Sequence, residues 1–145
     1  MTPISHSIVI ARSQEDVFNF VTDFRNDTKW WKPVIRTRMI TDGTMKVGSE
    51  FEQTAKVMFV TVKNKLIVTD WHPPQYADYI NESPQLPFKL RYQFDEVEGG
   101  TRFTLIAELE MKGALGLLKP ITMWTLHRQL NSFFGLLKQV LEQPQ

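Results

Sequence analysis

The three histidines, the side chains best suited to moving a proton near neutral pH or holding a metal, are scattered along this chain. The histidines are His6, His72 and His127, and no His-x-His or His-Glu-x-x-His spacing joins them. His72 precedes Pro73-Pro74 and reads as a loop residue. His127 sits beside Leu126, at the border of an apolar helical stripe, where it could tip inward. Glu108 and Glu110 are two apart on a strand pattern, so they share a face. They alternate with apolar residues, and that face reads as solvated rather than as a paired acid–base site. There is no cysteine, which removes thiolate nucleophiles, disulfides and Cys-based zinc sites. Neither a Gly-x-Ser-x-Gly elbow nor a phosphate-cradling glycine loop occurs. Any chemistry would therefore rest on isolated polar groups within apolar surroundings. Gln53, Tyr92, His127 and Asn131 are the candidates for assisting proton transfer. No catalytic residue and no metal ligand is assigned, and no cofactor is expected.

The elements that would position these groups are mostly strands. Ile4, His6, Ile8 and Ile10 alternate with Ser5, Ser7, Val9 and Ala11 as a first strand. Ser13-Gln14-Glu15-Asp16 opens a short helix: the Ser13 hydroxyl can accept near Asp16, and acids suit the positive helix end. Val17, Phe20, Val21 and Phe24 supply its apolar face. Asn26 or Asp27 caps a second short helix through Trp30 and Trp31, stopped by Pro33. From Val34 onward, alternation and turn residues mark about six more strands. Their helix-facing positions include Phe51, Gln53, Val62, Leu66, Leu90, Tyr92, Phe94, Phe103 and Leu105. Asp42-Gly43 and Gly99-Gly100 mark turns. Met123, Leu126, Leu130, Phe133, Leu137 and Leu141 then recur at three- and four-residue steps, one face of a long C-terminal helix. Gly113 and Gly116 loosen the link into it, and Pro120 fits its first turn or a kink.

The chain is 145 residues long, about one domain's worth, and can bury a core without disulfides. Net charge is +1 with basic residues dispersed, which argues against a nucleic-acid footprint. No apolar run is long enough to span a membrane, and the N-terminus lacks the blocks of a signal peptide. The expected location is the cytoplasm, and the expected state a monomer or homodimer.

The order of elements resembles the START-like (SRPBCC) superfamily, in particular its polyketide cyclase/dehydrase and lipid-transport branch. The residues that carry the resemblance run from Ser13-Gln14-Glu15-Asp16-Val17-Phe18 through Asp23, then Trp30 or Trp31 before Pro33. Gly43 and Gly48 ahead of Phe51, Val68-Thr69-Asp70-Trp71-His72-Pro73-Pro74, Gly99-Gly100-Thr101 and Leu118-Lys119-Pro120 complete it. The resemblance implies an α+β helix-grip fold over residues 1–145. In it, a curved antiparallel sheet of about seven strands surrounds the C-terminal helix, with two short helices after the first strand. It also implies a cavity for a hydrophobic molecule and supplies no universal catalytic motif.

The leading expectation is a binding module for a lipid, quinone or polyketide-like molecule, not an enzyme. The alternatives are a cyclase/dehydratase in the same cavity and a partner-binding regulator. The expected ligand-facing residues are Trp30, Trp31, Phe51, Gln53, Val62, Leu66, Leu90, Tyr92, Phe94, Phe103, Leu105, Met123, Leu126, His127 and Leu130. Trp30 and Trp31 diverge by about 100° on a helix, so one indole is expected to line an entrance. Met58-Phe59-Val60 reads as an apolar hairpin tip suited to transient contact with a membrane or partner. The N-terminal half of the helical stripe, near Pro120, Met123 and His127, is where a bound molecule is expected.

Overall fold

The computed structural model describes residues 2–57, 60–83, 87–110 and 119–143. The strands are β1 (Thr2–Ile10), β2 (Val34–Met39), β3 (Glu50–Val57), β4 (Val60–His72), β5 (Tyr76–Asn81), β6 (Phe88–Val97) and β7 (Gly100–Leu109). Helix α1 (Gln14–Thr22), a 3-10 turn (Phe24–Asn26) and helix α2 (Asp27–Trp30) separate β1 from β2, and helix α3 (Lys119–Glu142) ends the chain. The strands form one antiparallel sheet in the order β1-β7-β6-β5-β4-β3-β2. The sheet is curved, and the whole is the α+β helix-grip arrangement.

Alternation along the strands produces the sheet's two faces. On β5 the burial alternates without exception, with Ala77, Tyr79 and Asn81 inside. On β7 Thr101, Phe103, Leu105, Ala107 and Leu109 are buried. Opposite them across the β6–β7 ladder lie Phe94, Tyr92, Leu90 and Phe88. Register shifts break the simple pattern between Val34 and Arg36 and between Val68 and Asp70, and the second pairs Asp70 with Asp78 on the outer face. The Arg91 guanidinium, donating to both Asp78 carboxylate oxygens at 2.7 and 2.8 Å, offsets that like-charge contact.

The β6–β7 turn depends on a glycine for a tertiary reason. Gly100 has φ +145°, and a Cβ there would lie 2.0 Å from the Ile10 carbonyl oxygen. The close approach lets the end of β1 pair with Thr101. Thr101 then donates its hydroxyl to the Arg12 carbonyl at 2.8 Å.

Helix α1 begins as expected, with the Ser13 hydroxyl accepting from Asp16 N–H at 3.1 Å. Its buried face is Val17, Phe18, Val21 and Thr22, while Phe20 is only half-buried. Phe18 takes the inner place because α1 lies over β6 and β7, where its ring meets Trp71 and Phe94 edge-on. Neither proposed cap serves α2. Asn26 makes no side-chain cap and donates instead to the Phe20 carbonyl at 3.1 Å. Asp27 is itself buried, as the first helical residue.

Helix α3 rests on β1 and α2. Leu130, Phe134, Leu137 and Leu141 are its buried residues, so Phe134 takes the deep position and Phe133 the half-buried one. Its lower end is tied down: Arg12 donates to the Leu141 carbonyl at 2.7 Å, and the Glu142 carboxylate accepts from Ala11 N–H at 2.9 Å. Pro120 lies in the first turn, where a missing N–H costs no helical bond. Met58 and Phe59 of the expected hairpin tip, and the Gly113–Gly116 link, lie outside the described residues.

Candidate functional site

Two kinds of surroundings meet on the sheet's inner face. At the β1–β7–β6 side the core is aromatic and closed. Phe103 stacks on Phe94 at 5.2 Å and on Phe134 at 5.1 Å, with Tyr92 edge-on at 5.2 Å. Trp30 covers the same group, 6.3 Å from Phe103 and 6.1 Å from Phe134. Such ring contacts add to the stabilisation from burial alone.

Toward β3, β4 and β5 the interior becomes polar. The Gln53 amide donates to Asp27 Oδ2 at 2.6 Å and makes a longer contact, 3.4 Å, with the Thr37 hydroxyl. Thr37 donates in turn to the Phe24 carbonyl at 2.9 Å. Cross-strand pairing sets Gln53 opposite Thr37 and Asn64, which explains why these side chains meet. Phe24 closes the side toward the 3-10 turn, stacked on Phe51 at 4.1 Å and edge-on to Tyr79 at 4.9 Å. Tyr79 and Tyr92 lie with ring centroids 5.6 Å apart.

Three buried polar atoms in this interior have no hydrogen-bond partner among the described residues: Asp27 Oδ1, Trp30 Nε1 and the Tyr79 hydroxyl. Leaving such groups unpaired is costly, on the order of 1–3 kcal/mol each, so they mark places where something else can bind. Burial pushes the Asp27 carboxyl well above the usual carboxylate range; the Gln53 hydrogen bond opposes this and the Asp23 charge adds to it. Burial thus favours the protonated form of Asp27, in which the carboxyl can donate as well as accept. Burial likewise raises Tyr79 and Tyr92, each further raised by Asp27, so both phenols keep their protons.

The expected ligand-facing residues divide into three groups. Trp30, Phe51, Gln53, Leu66, Tyr92, Phe94, Phe103, Leu105 and Leu130 are buried. Trp31, Val62, Leu90, Met123 and Leu126 are half-buried, and Trp31 leans on Phe133 at 5.1 Å. His127 is exposed, as is Asn131, so neither is enclosed with Gln53 and Tyr92. His127 does lie near enough to His6 to help hold the His6 imidazole below its ordinary value, behind the larger effect of burial. His72 is on the surface, its Nε2 2.7 Å from Asp70 and its ring stacked on Tyr76. No group of three or more potential metal ligands occurs among the described residues. Two shallow hollows of about 520 and 490 Å³ flank Gln14 and Glu96, lined mainly by polar side chains and by none of the unpaired groups.

Sequence reasoning missed Asp27 and Tyr79 as site residues. A signal existed for each. Asp27 stands three residues before Trp30, on the same helical face, and Tyr79 alternates with Ala77 and Asn81.

The family model described as polyketide cyclase / dehydrase and lipid transport matches residues 1–142. No curated protein sequence matches. Among solved structures, protein TTHA0849 of Thermus thermophilus superposes with a TM-score of 0.81 at 14% identity, covering 97% of each chain. Protein NE0264 of Nitrosomonas europaea gives 0.75 at 16% identity, covering 97% of this chain and 94% of that one. The di-domain ARO/CYC BexL of the BE-7585A biosynthetic pathway gives 0.77 at 14% identity, with 99% of this chain on 51% of that one. At these identities the likeness is one of fold.

Proposed function

This chain belongs to the polyketide cyclase/dehydrase and lipid transport family, within the START-like superfamily, and on that premise we propose that it binds a small hydrophobic molecule between the inner face of its sheet and the N-terminal half of α3. One observation carries the reading. Inward positions Val62, Phe88 and Leu90, and Met123 and Leu126 on the helix, are only half-buried, whereas the inward positions around Phe103 are closed. Partly open apolar walls beside a few converging polar groups are the usual make-up of a small-molecule site.

The test is titration with a neutral apolar dye, N-phenyl-1-naphthylamine, whose fluorescence rises in apolar surroundings. Saturable binding is expected, and Leu90→Trp, which fills the space, lowers the affinity at least roughly tenfold. Trp124→Ser, on the outward side of α3, leaves it unchanged. No saturable binding, or equal binding by Leu90→Trp, sinks the reading.

A second reading is favoured by Asp27 alone: elimination of water from a β-hydroxy carbonyl compound in the same space. The Asp27 carboxyl would give its proton to the departing hydroxyl as the Cβ–O bond breaks. The resulting carboxylate would take the Cα proton as the double bond forms, which restores the acid. Water release from such a substrate, abolished in Asp27→Asn and retained in Trp124→Ser, is the expected result. Equal rates in wild type and Asp27→Asn remove the role.

A further inference from the structure

We infer that Asp27, Gln53 and Tyr79 form the polar end of this ligand space and select an apolar molecule ending in an uncharged oxygen, a hydroxyl or a ketone, over the same molecule ending in a carboxylate or in hydrocarbon. The inference rests on the binding reading above and adds the chemistry of the ligand's head.

The first ground is hydrogen-bond accounting. Asp27 is 3% exposed and Tyr79 1%, yet Asp27 Oδ1 and the Tyr79 hydroxyl lack partners among the described residues. Asp27 Oδ2 is already taken by Gln53, which fixes the carboxyl plane and leaves Oδ1 for another group. A hydroxyl or ketone oxygen can bond with both the carboxyl and the phenol, since each of these can donate or accept.

The second ground is position. Tyr79 pairs directly with Leu90 across β5 and β6, and Gln53 with Asn64 across β3 and β4. Leu90 and Asn64 are both half-buried. The polar group therefore borders the open apolar row, while Phe24 and Phe51 seal its other side. A ligand whose chain lies along Phe88 and Leu90, both half-buried, would bring its end to Tyr79, the cross-strand neighbour of Leu90.

The third ground is charge. The polar partners of Asp27 are the neutral Gln53 and, through it, Thr37. The charged group that acts on Asp27 is another acid, Asp23, itself paired with Arg25 at 2.8 Å. A ligand carboxylate would arrive beside a buried carboxyl whose polar partners among the described residues include no cation, and desolvating it unpaired is costly. A plain hydrocarbon would give the two oxygens no partner beyond those of the described residues.

The experiment is displacement of N-phenyl-1-naphthylamine from the full chain at pH 8 by 1-decanol, 2-decanone, decanoate and decane. Decanol and decanone are expected to compete at concentrations roughly tenfold lower than decane, the worth of about one hydrogen bond, and lower still than decanoate. Tyr79→Phe, nearly isosteric and removing an already unpaired hydroxyl, is expected to bring the decanol-to-decane ratio toward one. Trp124→Ser is expected to keep the wild-type ratio. Equal competition by all four compounds, preference for decanoate, or an unchanged ratio in Tyr79→Phe overturns the inference while the binding reading stands. Failure of the dye and of every competitor to bind overturns both.

Discussion

The two halves of α3 make the most instructive comparison in the molecule. Leu130, Phe134, Leu137 and Leu141 are at most 5% exposed, locked against β1, Trp30 and Phe103. Leu130 marks the boundary. Above it Met123 and Leu126 are half-buried, and Ile121 and Trp124 stand 63% and 62% exposed. The spacing of apolar residues is continuous through both halves, so amphipathicity is not what differs. What differs is the packing beneath: the lower half has an aromatic layer under it, and the upper half leaves its apolar residues half-buried or exposed. One helix is thus closed core at one end and, on the binding reading proposed above, a wall at the other.

Truncations on the two halves should separate most sharply. Phe134→Ala removes a ring in contact with His6, Trp30 and Phe103, and should cost about 3–5 kcal/mol in urea unfolding. Met123→Ala, on the upper half, should cost about 1 kcal/mol. Equal losses would erase the distinction between the halves.

Next in size is the turn that holds the closed end together. Gly100→Ala places a methyl group against the Ile10 carbonyl and should cost about 2 kcal/mol, with earlier loss of amide protection in β1 than elsewhere. Uniform loss of protection across the sheet would mean that the turn is not a local clamp.

The polar end should show itself through pH. A carboxyl whose folded pKa is raised holds its proton in the folded state after the unfolded chain, with its pKa near 4, has released it. Asp27 therefore lowers stability progressively as pH rises from about 4 up through its folded pKa, and has no effect below that window. The slope it adds is at most about 1.4 kcal/mol per pH unit. Asp27→Asn should remove this slope and leave the variant relatively more stable at neutral than at acid pH. Parallel stability–pH curves for the two proteins would show that Asp27 ionises normally.

The smallest effect belongs to the exposed side of that upper half. Trp124→Ser loses an exposed indole with Arg128 over its ring at 5.4 Å and should change stability by no more than about 0.5 kcal/mol. A larger loss would place Trp124 in a contact beyond those described.

Much of this was legible in the amino-acid order. The Ser13 cap, the alternation that sets Phe51, Tyr92, Phe94 and Phe103 on one face, the turn at Gly99-Gly100 and the long final helix all follow from local rules. The family resemblance, carried by the order of those motifs, is borne out by the family match. Periodicities of two and 3.6 residues are properties of short segments, and they survive in any tertiary setting.

The depth of each residue on its face was not legible. Phe134 rather than Phe133, and Phe18 rather than Phe20, took the inner positions because crossing angles decide which side of a broad apolar stripe goes deepest. Asp27 read as a cap because the sequence shows an acid at a helix start, while in the fold it is buried and bonded to Gln53, 26 residues away. Gly100 read as a turn residue, but its need for no side chain comes from Ile10, brought there by sheet pairing. The sequence by itself determined which residues share a face and in what order the elements follow. Only the tertiary structure decided which faces close, which stay partly open, and where a carboxyl loses its water, because solvation depends on neighbours distant in the chain.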